Sequence, residues 1–150
     1  MKRTLLIVLT VCFITAVSFG QSAKIIDNIL DTEEATFGQA SYLILHALGG
    51  NGAAADFTEA FTELQARNIV GASVSSDDTL SFKQYAFLLM KAFDIKGGML
   101  YRIYPCPRYA YRDLRYLSVF QGKTEPDRKV SGLEMLQVMG RIDILKGGEK

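Results

Sequence analysis

A hydroxyl residue followed three positions later by Gln or Glu, and then by an apolar run, occurs three times in this chain. The copies are Thr36-Phe37-Gly38-Gln39, Ser81-Phe82-Lys83-Gln84 and Ser131-Gly132-Leu133-Glu134. A hydroxyl at the N-cap accepts from the N3 amide, and a Gln or Glu at N3 reaches back to the cap's own amide. Each such cap is worth about 1 kcal/mol. With Thr36, Ser81 and Ser131 as caps, and Gln39, Gln84 and Glu134 as their partners, the intervals are 45 and 50 residues. The spacing predicts an all-α fold in which one helical unit recurs.

Aligning the second copy on the first pairs Phe82 with Phe37, Phe87 with Tyr42, Leu88 with Leu43, Leu89 with Ile44 and Ala92 with Ala47. The third copy keeps Met135, Leu136, Val138, Met139 and Ile142 at helical spacing. Upstream, Phe57, Phe61, Leu64, Ile69 and Val70 align with Pro107, Tyr111, Leu114, Val119 and Phe120. Each of these sets reads as a helix with apolar residues every three to four positions. Polar loops follow, Gly71 to Thr79 and Gln121 to Lys129. The unit is helix, loop, helix, with copies near 24–49, 55–95 and 107–145 packed into one domain. A unit of about 40 residues cannot bury its own apolar faces and must pack on its neighbours. The first copy is incomplete, since Ile25, Ile26, Ile29 and Leu30 leave room for about two turns. That shortening predicts an uncovered face on the first capped helix (Tyr42, Leu43, Leu45, Leu48), to be closed by a second chain or by a larger partner. Gly49-Gly50-Asn51-Gly52 and Gly97-Gly98 end the first two capped helices, and Lys146 to Lys150 forms a polar tail.

Residues 1–20 read as a signal peptide. Lys2 and Arg3 precede an uncharged stretch from Leu5 to Phe19, and Ser18-Phe19-Gly20 supplies small residues for cleavage after Gly20. The stretch is short of the about 20 residues of a membrane span, so an N-terminal anchor is the minor reading. Cys12 after Leu9-Thr10-Val11 is a faint lipobox, with Val11 too large for its place. The remaining 130 residues, 21–150, suffice for one compact domain. They carry 15 basic and 16 acidic side chains, a balance that asks for no nucleic acid. Cys106, between Pro105 and Pro107, is the one cysteine left in them, so packing rather than disulfides must hold the fold.

Leu80-Ser81-Phe82-Lys83-Gln84-Tyr85-Ala86-Phe87-Leu88-Leu89 and Val130-Ser131-Gly132-Leu133-Glu134-Met135, with the upstream Glu63-Leu64-Gln65-Ala66-Arg67-Asn68-Ile69-Val70-Gly71, resemble the S-layer homology domain. The resemblance covers most of residues 24–145 as a pattern of residue types. It implies a helix-loop-helix module on an exported bacterial protein, placed in the periplasm or cell envelope. In that family a motif arginine after the hydroxyl implies an anionic-glycan ligand. Here Phe37, Phe82 and Gly132 stand in its place, and the family's aromatic-rich opening with Trp is missing, as the chain has no Trp.

The segment Tyr101 to Tyr116 gathers five of the seven tyrosines with four arginines. Tyr101, Arg102, Tyr104, Arg108, Tyr109 and Arg112 are the candidate binding residues, since ring faces and guanidinium forks suit a sugar or a carboxylate. Against this stands packing of Tyr111 and other rings into the core, with the arginines solvated or paired to Asp113. Asp77-Asp78 lacks the further ligands of a calcium loop and reads as a solvated turn. His46, the sole histidine, sits near the end of a helix, where partial positive charge is favourable. With one His and one Pro-flanked Cys, no nucleophile, base and orienting group can be assembled, and no zinc ligand set exists. The expectation is a non-enzymatic binding or scaffold module without metal or cofactor. Its partner is an envelope protein or, as the alternative, a wall polysaccharide. A small secreted hydrolase using paired carboxylates is the rival of another class, and no pair stands out for it.

Overall fold

Each capping sequence opens a helix. A computed structural model describes residues 23–49, 54, 56–122 and 124–147. The signal peptide, the Cys12 lipobox, Gly50 to Gly52 and the last three residues of the tail lie outside the described residues. The fold is all-α: α1 (23–30), α2 (Phe37–Ala47), α3 (Phe57–Ala66), α4 (Phe82–Ala92), α5 (Met99–Ile103), α6 (Pro107–Tyr116) and α7 (Gly132–Gly147). At α2 the box is reciprocal: the Gln39 amide donates to Thr36 Oγ1 (3.3 Å) and the Thr36 amide to Gln39 Oε1 (3.1 Å). At α4 the amide and hydroxyl of Ser81 both donate to Gln84 Oε1, at 2.8 and 2.9 Å. At α7 the Ser131 amide donates to Glu134 Oε2 (3.0 Å) and the Glu134 amide to Ser131 Oγ (3.3 Å).

The residues just before these caps meet in a closed triangle of backbone hydrogen bonds. The Ala35 amide donates to the Val130 carbonyl (2.7 Å), Val130 to Leu80 (3.2 Å) and Leu80 to Ala35 (3.0 Å). Isolated antiparallel bridges flank the triangle, Thr36 with Thr79 and Ser81 with Lys129. Among the described residues these pairings do not extend into a strand. The triangle is buried, with Ala35, Leu80 and Val130 all inaccessible to solvent. Such burial demands that the three amides find partners, and each finds the next residue's carbonyl.

Around this centre, α2 packs chiefly on α3 and α4 on α6. Tyr85 on α4 is fully buried, and its hydroxyl donates to the Met135 carbonyl of α7 (3.0 Å). Phe82, Leu89, Leu114, Met135 and Ile142 fill the same core.

Besides the end of α4, which comes at Ala92 before left-handed Asp94 (φ 51°) and not at Gly97-Gly98, the structure departs from the sequence reading in three places. The expected helices through Val70 and Phe120 stop at Ala66 and Tyr116, because Asn68 and Ser118 turn left-handed, with φ of 57° and 59°. Ile69 and Val119 then bond back to Leu64 and Leu114, at 2.9 and 3.0 Å, and their side chains turn inward. Lys91 of α4 donates to the Asn68 carbonyl, and Arg141 of α7 to that of Val119 (3.0 Å), so a cation from the next helix closes each end. Secondly, the α2 face expected to lie open is covered within the chain. Tyr42, Leu43 and Leu45 are buried, and the Tyr42 ring meets Phe57 of α3 edge-on at 5.5 Å. Thirdly, α5 is a separate helical turn between α4 and α6 that the apolar periodicity did not mark.

Candidate functional site

Five residues are too few for an amphipathic helix, and α5 buries none of its own. Three features hold it to the body. The Gly98 amide donates to Asp113 Oδ2 of α6 (2.7 Å). The Tyr101 ring turns inward and meets Phe87 of α4 at 6.3 Å, nearly perpendicular. Gly97 lies against that same ring, where a Cβ would fall 2.6 Å from Tyr101 Cδ1. Burial, and then the negative charge of Asp113, push the Tyr101 hydroxyl above its ordinary pKa. Pro105 and Pro107 fix the turn into α6, whose first position Pro107 occupies without losing a needed donor. Cys106 is the N-cap of α6 and half-buried.

The outer side of α5 carries Met99, Ile103 and Tyr104, which are 77%, 70% and 68% exposed, and Tyr116 at the end of α6 is 89% exposed. Arg102, Arg108, Arg112 and Arg115 in the same segment are exposed as well. Arg112 lies over the Tyr109 ring at 5.1 Å and pairs with Asp113 at 3.4 Å. Tyr111 is interior: its ring stacks on Phe120 at 5.5 Å and its hydroxyl donates to the Thr124 carbonyl (2.5 Å). Of the six candidate residues, then, Arg102, Tyr104, Arg108 and Arg112 are exposed. Tyr101 packs inward, and Tyr109 has Arg112 across one face. Met99 and Ile103 are exposed too, although no sequence motif marked them. Their signal was a short apolar run fenced by Gly98 and Pro105, too brief for periodicity to register.

The positions where the S-layer homology motif arginine would stand are interior here. Phe37 and Phe82 are buried, and Gly132 abuts the end of α1. Arg128 instead lays its guanidinium over the Phe82 ring (4.7 Å) and pairs with Glu134 (2.5 Å). Hydrogen bonds from Arg128 and Ser131 outweigh partial burial and hold the Glu134 carboxyl below its ordinary range.

His46 is exposed and its Nδ1 lies 2.9 Å from the Tyr42 carbonyl. Asp78 Oδ2 accepts from the Ser75 amide (2.7 Å), which makes Asp77-Asp78 part of an exposed turn. Among the described residues no group of three or more His, Cys, Asp or Glu side chains could hold a metal ion. No described helix is long and apolar enough to cross a membrane. A cleft of about 400 Å³ opens where α4, α6 and α7 end, lined by Phe93, Ile95, Leu117 and Ile144 with Lys96 and Lys146. The carbonyl ends of three helices converge there, and Lys146 spans the cleft to sit 5.0 Å from the Phe93 ring centre. Comparison with protein families, with curated proteins and with solved structures finds no match for this chain.

Proposed function

We propose that this chain is an exported, non-enzymatic binding module of the cell envelope, acting through protein–protein contacts made by α5 and α6. One observation carries the reading: four of the five residues of α5 are exposed and only Tyr101 packs inward, so that Met99 and Ile103 turn to solvent in a segment that also carries four exposed arginines. Exposed apolar side chains in a segment with four exposed arginines fit a partner with an apolar anchor and acidic flanks. The turn is also held in place beforehand, by Asp113 on the Gly98 amide and Tyr101 on Phe87, which lowers the ordering cost of binding.

The architecture behind this surface is, in this reading, three helix-loop-helix units closed into a ring, divergent from the S-layer homology module. The triangle of Ala35, Leu80 and Val130 supports it, since these residues stand at the same place in each unit. So do the paired ends at Asn68 and Ser118 and the paired cations Lys91 and Arg141, each pair 50 residues apart in sequence. The buried Phe37 and Phe82 favour a protein partner over a wall polymer, because the sites of the glycan-binding arginine are spent on the core.

The test is capture by residues 21–150 from fractionated envelope, with wall polymer and solubilised membrane proteins offered separately. A discrete protein retained by the wild type and lost with Arg108→Ala/Arg112→Ala supports the proposal. Retention on the polymer alone would replace it with the wall-anchor reading. Capture indifferent to the two substitutions would move the binding face elsewhere.

A further inference from the structure

We propose that two copies of this chain pair through the outer face of α7, antiparallel and about Gly140. The inference lies beyond the α5–α6 reading and uses none of its residues. α7 is apolar on two opposite sides. Met135, Val138, Met139 and Ile142 are buried on the inner one. At about 100° per residue, Leu133, Leu136, Gly140, Ile144 and Gly147 fall within about 80° of one another on the outer one. Leu133 is 50% and Ile144 76% exposed, Leu136 is half-buried, and both glycines are exposed. Gln137 and Asp143, both exposed, border this stripe. A helix that is apolar on both sides calls for cover on both.

Gly140 points to what the cover is. It stands mid-helix, where glycine costs about 1 kcal/mol against alanine. Nothing lies within 4 Å of where its Cβ would be, so the fold of one chain gives no reason for it. A second helix crossing at that point supplies one, since a missing side chain lets two backbones approach closely.

The stripe is also complementary to itself. Leu133 and Gly147 lie seven residues to either side of Gly140, and Leu136 and Ile144 lie four to either side. In an antiparallel pair with the two Gly140 residues facing, Leu133 of each copy comes over Gly147 of the other, and Leu136 beside Ile144. Large meets small at both ends, and the helix dipoles oppose. A parallel pair would crowd Leu133 on Leu133 and leave a gap between the two Gly147 residues. Each copy gives the same patch, so the contact is isologous and closes at the dimer. A net charge of −1 for residues 21–150 sets little general repulsion against it.

Sedimentation velocity of residues 21–150, which hold every described residue, tests the pairing. The wild type should pass from monomer to dimer as concentration rises, with little response to salt, because the contact is apolar. Gly140→Gln fits the single chain and should weaken the dimer about tenfold or more by driving the helices apart. Its melting temperature, taken where the wild type is monomeric, should equal or exceed the wild type's, since Gln is the better helix former. That separates a lost contact from a lost fold. Orientation is read in a Cys106→Ser background. Under a mild oxidant, Leu133→Cys chains mixed with Gly147→Cys chains should link to each other more than to themselves. A wild type monomeric at every concentration, a dimer indifferent to Gly140→Gln, growth past the dimer, or dominant linkage of Leu133→Cys to itself overturns the proposal. A monomeric wild type that captures an envelope protein, and loses it with Gly140→Gln, would overturn the pairing and give the face to a foreign helix.

Discussion

Gly132, the first residue of α7, lies so close to the end of α1 that a Cβ built on it would fall 1.6 Å from the Ile29 carbonyl oxygen. The approach falls just before the connector from α1, which ends at residue 30, to α2, which begins at Phe37. The Gly132 amide uses the approach to donate to the Thr32 carbonyl (2.9 Å).

Gly132→Ala should accordingly destabilise the fold by about 3 kcal/mol or more, since backbone rather than a flexible side chain stands in the way. Gly140, in the same helix, has open space where a Cβ would go. Gly140→Ala should stabilise by about 1 kcal/mol through helix propensity. Urea unfolding of the two variants checks the opposite signs, and a mild Gly132→Ala would refute the close approach.

Tyr85 predicts an alkaline limit. Burial raises its hydroxyl pKa far above the ordinary 10.0, so the folded state holds the proton that the unfolded state releases. The unfolded chain then binds fewer protons, and stability falls as pH rises above 10.0. Tyr85→Phe should cost about 1 kcal/mol at neutral pH by losing the bond to Met135. It should also flatten the alkaline decline, as denaturant midpoints measured across that range would reveal.

Glu134 acts at the other end of the scale. Its folded pKa lies below the ordinary 4.5, so its contribution is present above 4.5 and is lost as pH falls through the lowered value. Glu134→Gln keeps the reach-back bond that Gln39 and Gln84 make in the other two boxes, but loses the charge on Arg128. The expected cost is about 0.5–1 kcal/mol at pH 7, for a pair that is partly exposed. The acid-side slope of stability should shrink in the variant, and an unchanged slope would assign the acid sensitivity elsewhere.

Arg141→Met should keep the packing of the stem and lose the cation that closes α6 at Val119. A loss of about 1–2 kcal/mol is expected for a charged donor on a carbonyl. Amide exchange should quicken first at Ser118 and Val119, whose backbone bonds form that end.

The helix starts were legible because a capping box is a local bargain, completed by residues three apart whatever surrounds them. The ends of α3 and α6 were not. Ile69 and Val119 fit the helical period but are carried inward by one left-handed residue apiece, and Asn68 and Ser118 give little warning of that conformation. The cover on α2 was missed for a related reason: it comes from α3, across the Gly-rich junction, and no pattern within one unit can show a neighbour's position. In the tyrosine-rich segment, composition marked the region while geometry divided its members. Tyr111 went to the interior and Tyr101 packed inward on Phe87, while Met99 and Ile103, which look like core residues in sequence, stayed outside because Tyr101 takes the inward side of so short a helix.

The triangle of Ala35, Leu80 and Val130 also sets the order in which the chain can finish folding. The Ala35 amide waits for a carbonyl 95 residues further on, which at about 10 residues per second is roughly ten seconds of synthesis. Until then α1 has no α7 to lie against, and the start of α2 stands with one side open. Closure is thus a late, long-range event, slow by nature and exposed while it is pending. A chain truncated before residue 130 would lose, with its last helix, the carbonyl on which the buried Ala35 amide depends.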